Sequence, residues 1–262
     1  MNKKQKLLED CIRSYGKVLV AFSGGVDSTY LLAIARRVLG KNNVLALTAV
    51  SETYPAAELL RARQLARQLD VVIRVIKTNE LRNASFKKNP RDRCFFCKNE
   101  LFSKLDAIAQ KRGMVVCDGT NASDAGDYRP GRAAAKKWKI VSPLAAAGLT
   151  KDDIRALSKQ MKLSTWNMPA QACLASRFPY GTPITLKELA KVEQTEELLK
   201  RRGFAVVRVR NHNELARIEV EPGNIISLMN ILSDASFLAR IKKLGWRFVC
   251  VDASGYTMGC FN

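Results

Sequence analysis

Two residue patterns in this chain of 262 amino acids carry side chains suited to group transfer. The first is Ser23-Gly24-Gly25-Val26-Asp27-Ser28. Adjacent glycines let a backbone approach an anion with no Cβ in the way. The hydroxyls of Ser23 and Ser28 are further donors, and Asp27 could hold Mg²⁺ or cap a helix start. That is the chemistry of a phosphate cradle, in which free N–H groups and a helix dipole meet a negative group. Neither GxxxxGK[ST] nor GxGxxG is present, so no lysine of the loop stands where it would touch the β- and γ-phosphates of a nucleotide. An ordinary strand-to-helix turn would also use Gly-Gly and Asp, but six matched positions favour the nucleotide.

The second pattern is Cys173, flanked by small residues and followed by Ser176 and Arg177, in a stretch from Trp166 to Pro183 that breaks every period. A cation near a thiol lowers its pKa and keeps it reactive. A rigid linker with an incidental cysteine has the same composition, and the two readings stand side by side. Arg208 and Arg210 lie two apart on an alternating run, so they share one strand face. They could grip a phosphate together or guard an edge strand against aggregation. Cys94 and Cys97 form a CxxC, which suits half a zinc site, a redox pair or part of an iron–sulfur site. The chain's one histidine, His212, is distant in sequence. The favoured reading is two small hydrophobes at a loop-to-helix junction.

The elements that must position these groups follow from periodicity. Residues 2–15 read as an amphipathic helix closed by Gly16. Lys17–Phe22, Val44–Val50, Val71–Ile76, Met114–Asp118 and Lys139–Val141 read as strands, with helices at Thr29–Leu39, Ala56–Leu69 and from Thr150 to about Met161. Thr150 and Asp153 make a capping-box pattern. Strands alternating with helices predict an α/β fold with a doubly wound parallel sheet. Ser51–Pro55 and the loop Gly119-Thr120-Asn121 to Asp124 then fall at strand exits, where such sheets put ligand contacts. Gly119, Thr120 and Asn121 are candidate nucleotide or metal contacts, and Arg129 is a candidate phosphate clamp. A helix over Leu186–Arg202, strands 204–210 and 215–220, further helices, and strand 248–252 make a smaller α+β domain. The predicted organisation is 1–165 for nucleotide binding, 166–184 as a catalytic loop, and 185–262 for substrate binding and oligomerisation.

Composition sets the bounds. The net charge of +20 points to an anionic partner such as RNA, or to a surface serving phosphate ligands. The cations spread along helices as on solvated faces, so charge alone does not make this a nucleic-acid binder. Seven cysteines do not make a disulfide framework. With no run of roughly 20 apolar residues to span a bilayer and an acid-containing start unlike a signal peptide, the expected location is the cytoplasm.

Together these motifs resemble the ATP-dependent sacrificial sulfur transferases of the LarE family, within the ATP pyrophosphatases (PP-loop enzymes). The likeness rests on SGGVDS, RCFFCK at 93–98, DGTN at 118–121 with Asp124, YRPG at 128–131, SPL at 142–144, ACLASRFPYG at 172–181, and RVR with ARIEV within 208–220. It implies that ATP and Mg²⁺ sit on Ser23–Ser28 and that a carboxylate of pyridinium-3,5-biscarboxylic acid mononucleotide is adenylylated, as in nickel-pincer nucleotide biosynthesis. Cys173 would then give up its sulfur and become dehydroalanine. The resemblance places Arg208 and Arg210 on the substrate phosphate and Glu196, with Asp27, among metal ligands. It also implies a homo-oligomer, a hexamer. Arg177 is read here as charge stabilisation beside Cys173 and Ser176. The family tends to have GYR near the C-terminus, where this chain has Gly255-Tyr256-Thr257.

Three other readings compete. A tRNA-thiolating enzyme would use Cys94, Cys97 and Cys173, yet the chain has no KH or RRM signature. An amide-forming synthetase would leave ACLASR without a purpose. A non-catalytic nucleotide sensor would not release pyrophosphate.

Overall fold

The computed structural model describes residues 3–126, 130–169 and 172–257. The chain divides into two compact units, Met1–Glu80 with Asp92–Gln171, and Leu81–Arg91 with Ala172–Asn262.

The first unit alternates helices and strands: α1 (Lys3–Tyr15), β1 (Val18–Ala21), α2 (Val26–Leu39), β2 (Val44–Val50), α3 (Ala56–Gln68) and β3 (Val72–Lys77). One short helix of the second unit, α4 (Ala84–Lys87), intervenes before α5 (Arg93–Gln110), β4 (Val115–Cys117), α6 (Gly131–Lys137), α7 (Pro143–Ala146) and α8 (Lys151–Gln160). Its four strands are all parallel, in the order β3-β2-β1-β4. Alternate residues of each strand face opposite ways, and both faces are covered. Val18, Val20 and Ala46 join Leu8 and Ile12 of α1, Tyr30, Leu31, Leu32 and Ile34 of α2 and Leu157 of α8. Leu19, Leu45 and Leu47 join Phe102 and Leu105 of α5 and Ala134 of α6. This is the expected doubly wound sheet, with one correction. Lys139–Val141 is not a fifth strand, because only Val141 bridges to Cys117. Lys139 is left-handed (φ 52°) as it leaves α6, and Pro143 starts α7. Too few extended residues remain to build a ladder.

The second unit continues with α9 (Leu186–Lys200), β5 (Val207–His212), β6 (Leu215–Val220), α10 (Ile225–Leu232), α11 (Ala235–Lys242) and β7 (Phe248–Val251). β5 and β6 form an antiparallel hairpin, and β7 adds parallel to β6. Residues 81–91 belong with this unit although the sequence places them inside the nucleotide-binding half. Asn89 explains the detour. Its carbonyl accepts from Gly181 N–H at 2.9 Å, and its amide donates to the carbonyls of Phe178 (3.4 Å) and Pro179 (2.8 Å).

Candidate active site

In the first unit the strand order reverses between β1 and β4, and there the loops leaving the two strands meet. Such a switch point is where open α/β sheets bind ligands. Gly24 takes a φ of +73°, and Gly25, extended, is the residue that caps α2. The loop's hydroxyls close it on itself. Ser23 Oγ lies 3.1 Å from Ser28 Oγ and accepts from Gly25 N–H at 3.3 Å, while Ser28 Oγ donates to Gly25 O at 3.2 Å. Gly119, at the exit of β4, backs onto the first turn of α2. A Cβ there would stand 3.1 Å from Ser28 N and 3.3 Å from its Cα.

Asp27 is not the helix cap that its type suggested. It sits inside the first turn, and its carboxylate faces away along the loops: Oδ1 accepts from Asn121 Nδ2 at 3.3 Å and Oδ2 from Lys151 Nζ at 2.5 Å. Asn121 in turn is fixed by Asp124, whose Oδ2 accepts its N–H at 3.0 Å. Thr120 spends its hydroxyl on Asp118 (2.9 Å), which also takes Ser142 Oγ (2.7 Å). The structure therefore brings Ser23, Ser28, Asp27, Gly119 and Asn121 together. Arg129 lies outside the described residues.

In the second unit Cys173 is exposed, whereas Leu174, Ala175, Arg177 and Phe178 beside it are buried. Leu174–Arg177 is a turn of 3₁₀-helix, and Ser176 N–H closes it onto Cys173 O at 3.0 Å. Arg177 holds this turn from inside. One nitrogen, Nη1, donates to Ala172 O (2.8 Å), Cys173 O (3.2 Å) and Ser176 Oγ (2.9 Å). Nε and Nη2 grip the two oxygens of Glu196 at 2.8 and 3.0 Å. Glu196 Oε1 also accepts Val209 N–H at 3.0 Å. Burial alone would raise the Glu196 pKa, but the Arg177 charge and these hydrogen bonds outweigh it and hold the carboxyl below its usual range.

Both oxygens of Glu196, the residue expected near a metal, are held by Arg177, so Glu196 anchors that arginine in this structure. The Arg177 charge is matched by Glu196, and its remaining nitrogen faces the carbonyls of Ala172 and Cys173, so here it positions the Cys173 loop. Among the described residues no three His, Cys, Asp or Glu side chains gather into a metal site. Cys94 and Cys97 lie in the first turns of α5, and Cys97 Sγ approaches Glu80 Oε1 at 3.6 Å.

Arg208 and Arg210 are both buried, which excludes the edge-guard role. They differ in partner. Arg210 makes a two-pronged pair with Glu219 (2.9 and 2.6 Å) and reaches Ser176 O at 3.0 Å, so the paired grip expected of these arginines is already half committed. Arg208 donates to Val207 O at 2.9 Å and lies 5.1 Å from the Tyr256 ring. Burial first, then repulsion from Arg177, lowers its pKa.

Sequence reasoning missed Lys151, Asn89 and Glu219. Glu219 had a signal, since a short-turn hairpin sets it beside Arg208 and one diagonal step from Arg210. Lys151 and Asn89 act across 124 and 90 positions, and no local pattern marks them.

Comparison with known proteins bears on both units. Residues 1–124 match the NAD synthase family model. The chain is 39% identical over its whole length to the uncharacterized protein slr1717 of Synechocystis, covering 98% of it. It is 36% identical over 99% of its length to the pyridinium-3,5-bisthiocarboxylic acid mononucleotide synthase of Lactiplantibacillus plantarum, covering 94% of that protein. A Methanocaldococcus jannaschii protein, MJ0830, is 29% identical over 92% of the chain, which covers 90% of it.

Proposed function

Because the chain belongs to the family of the pyridinium-3,5-bisthiocarboxylic acid mononucleotide synthases (LarE), we propose that it is an ATP-dependent sulfur transferase acting on pyridinium-3,5-biscarboxylic acid mononucleotide. The observation that carries this reading is Cys173, an exposed thiol on a turn whose neighbours are buried and whose carbonyls are pinned by Arg177. A sulfur that must be handed over needs access, and a fixed backbone aims it.

A carboxylate does not accept sulfur until its oxygen becomes a leaving group. ATP would supply that by adenylylation with release of pyrophosphate, its phosphates on the Ser23–Ser28 loop beneath the exit of β4. Asp27 fits Mg²⁺, which commonly takes one or two carboxylates and completes its shell with phosphate oxygens and water. When bound, the ion would neutralise charge on the departing pyrophosphate. The Cys173 thiolate would then attack the acyl-adenylate carbonyl, form a thioester and expel AMP. Loss of the Cys173 α-proton with cleavage of its Cβ–S bond leaves dehydroalanine in the chain and the sulfur on the product as thiocarboxylate. Each chain thus turns over once per sulfur. Arg208, with Arg210 and Tyr256 beside it, is the part of the strand face we assign to the substrate phosphate. A cytoplasmic homo-oligomer, a hexamer as family likeness implies, completes the proposal, and light scattering tests that part.

The deciding experiment is intact mass before and after incubation with ATP, Mg²⁺ and the biscarboxylate nucleotide. The expected result is loss of the elements of H₂S, mapped to residue 173 and dependent on ATP. Pyrophosphate release with unchanged protein mass would refute the sacrificial role and favour an external sulfur or ammonia donor.

A further inference from the structure

The Ser23–Ser28 loop carries no lysine, yet a lysine stands at it. Lys151 Nζ lies on Asp27 Oδ2, reaching across 124 positions of sequence. The root of this side chain is fixed. Lys151 N–H donates to Ser123 Oγ at 3.0 Å, and Thr150 and Asp153 close a capping box around the start of α8. The head is not buried, since the Lys151 side chain is 33% exposed and that of Asp27 22%. A half-buried pair that still meets solvent adds only modestly to stability, so holding the fold together does not by itself account for it.

We propose that Lys151 is the phosphate lysine missing from the loop, and that on Asp27 it holds the place a divalent cation takes when nucleotide binds. This rests on the nucleotide reading above. Asn121 occupies Oδ1 and the ammonium occupies Oδ2. A divalent cation entering the same carboxylate competes with the ammonium, because the two cations repel and both draw on the one negative charge. The released ammonium needs an anion within reach of its fixed root, and a triphosphate on the loop supplies one. Lysine then moves from carboxylate to phosphate as metal moves onto carboxylate, and charge stays matched throughout. The consequence is an order of loading in which metal enters with the nucleotide and binds poorly ahead of it.

The test uses the full chain without turnover. Mn²⁺ binding to nucleotide-free protein is followed by electron paramagnetic resonance, and ATP binding in EDTA by calorimetry. Lys151→Met keeps the stem and removes the charge. It is expected to bind Mn²⁺ about tenfold tighter and metal-free ATP about tenfold weaker, the scale of one charge-assisted hydrogen bond. Lys151→Arg keeps the pair and should stay near wild type in the Mn²⁺ assay. Unchanged or weaker Mn²⁺ binding by Lys151→Met, or unchanged ATP binding, overturns the exchange and leaves a structural pair. If Lys151→Met does not fold, Asp27→Asn reads the exchange from the other partner. Metal-free ATP should then bind tighter than in wild type, and unchanged or weaker binding overturns the proposal. Wild-type protein that binds no ATP with or without metal would instead refute the nucleotide reading. That outcome is separable, because failure of the exchange alone leaves wild-type ATP binding intact.

Discussion

Arg177 and Glu196 meet as a two-pronged ion pair at 2.8 and 3.0 Å, with side chains 3% and 2% exposed. The pair ties the turn that carries Cys173 to α9 and, through Val209 N–H, to β5. Removing one member of a buried pair strands the other charge, a cost of roughly 3–5 kcal/mol. Arg177→Gln and Glu196→Gln should each lower unfolding free energy by about that amount. The double variant should cost less than the sum, since no charge is then stranded. Urea unfolding of the three variants checks this, and additive losses would mean that the two side chains are not coupled.

The same pair sets an acid limb. The folded-state pKa of Glu196 lies below its ordinary 4.5, so its contribution is complete above that value and is lost as pH falls through the folded pKa. Stability measured in urea should therefore decline below about pH 4.5, and Glu196→Gln should flatten that decline. A wild-type slope retained in Glu196→Gln would assign the limb to other carboxylates.

Asn89 holds the loop after Cys173 with three hydrogen bonds from a left-handed backbone, φ 53°. Asn89→Ala keeps the backbone bond from Gly181 but removes both amide bonds and adds Cβ strain where asparagine is tolerated. The expected loss is about 1–3 kcal/mol. Alkylation of Cys173 should change rate at once, because the turn loses a support while the thiol stays exposed. Equal alkylation rates in wild type and variant would separate Asn89 from the Cys173 turn.

Gly119→Ala tests the crevice between β1 and β4. Its methyl would meet Ser28 N at 3.1 Å, and helix backbone gives way less readily than a side chain. ATP affinity should fall at least tenfold, about 1.4 kcal/mol, with the circular dichroism of the folded chain retained. Unaltered affinity would place the nucleotide elsewhere.

Much of this protein was legible before any coordinates. Apolar runs gave away the four strands of the parallel sheet, most clearly β1 and β2, because a strand covered on both faces has to be apolar at nearly every position. Gly24, Gly25 and the serines marked the tight turn between β1 and α2, since such a turn into a helix leaves few residue types possible. The break in periodicity around Cys173 marked a segment outside the regular helices and strands, which the structure shows as a single 3₁₀ turn with Cys173 exposed. Val141 shows the limit on the fold side: its run is apolar, but the chain on either side is already turning into helices.

Residue order by itself determined which groups could do chemistry. It could not determine which of their charges were already matched. Arg177, Arg210 and Asp27 each read as active charges, and each is met by a carboxylate or ammonium on another element or strand: Glu196, Glu219 and Lys151. A charge takes its role from what lies within a few ångströms of it, and that distance is decided by helix packing and strand register. Only the tertiary structure could turn Arg177 into a support for the Cys173 turn and bring a lysine to the loop that lacks one.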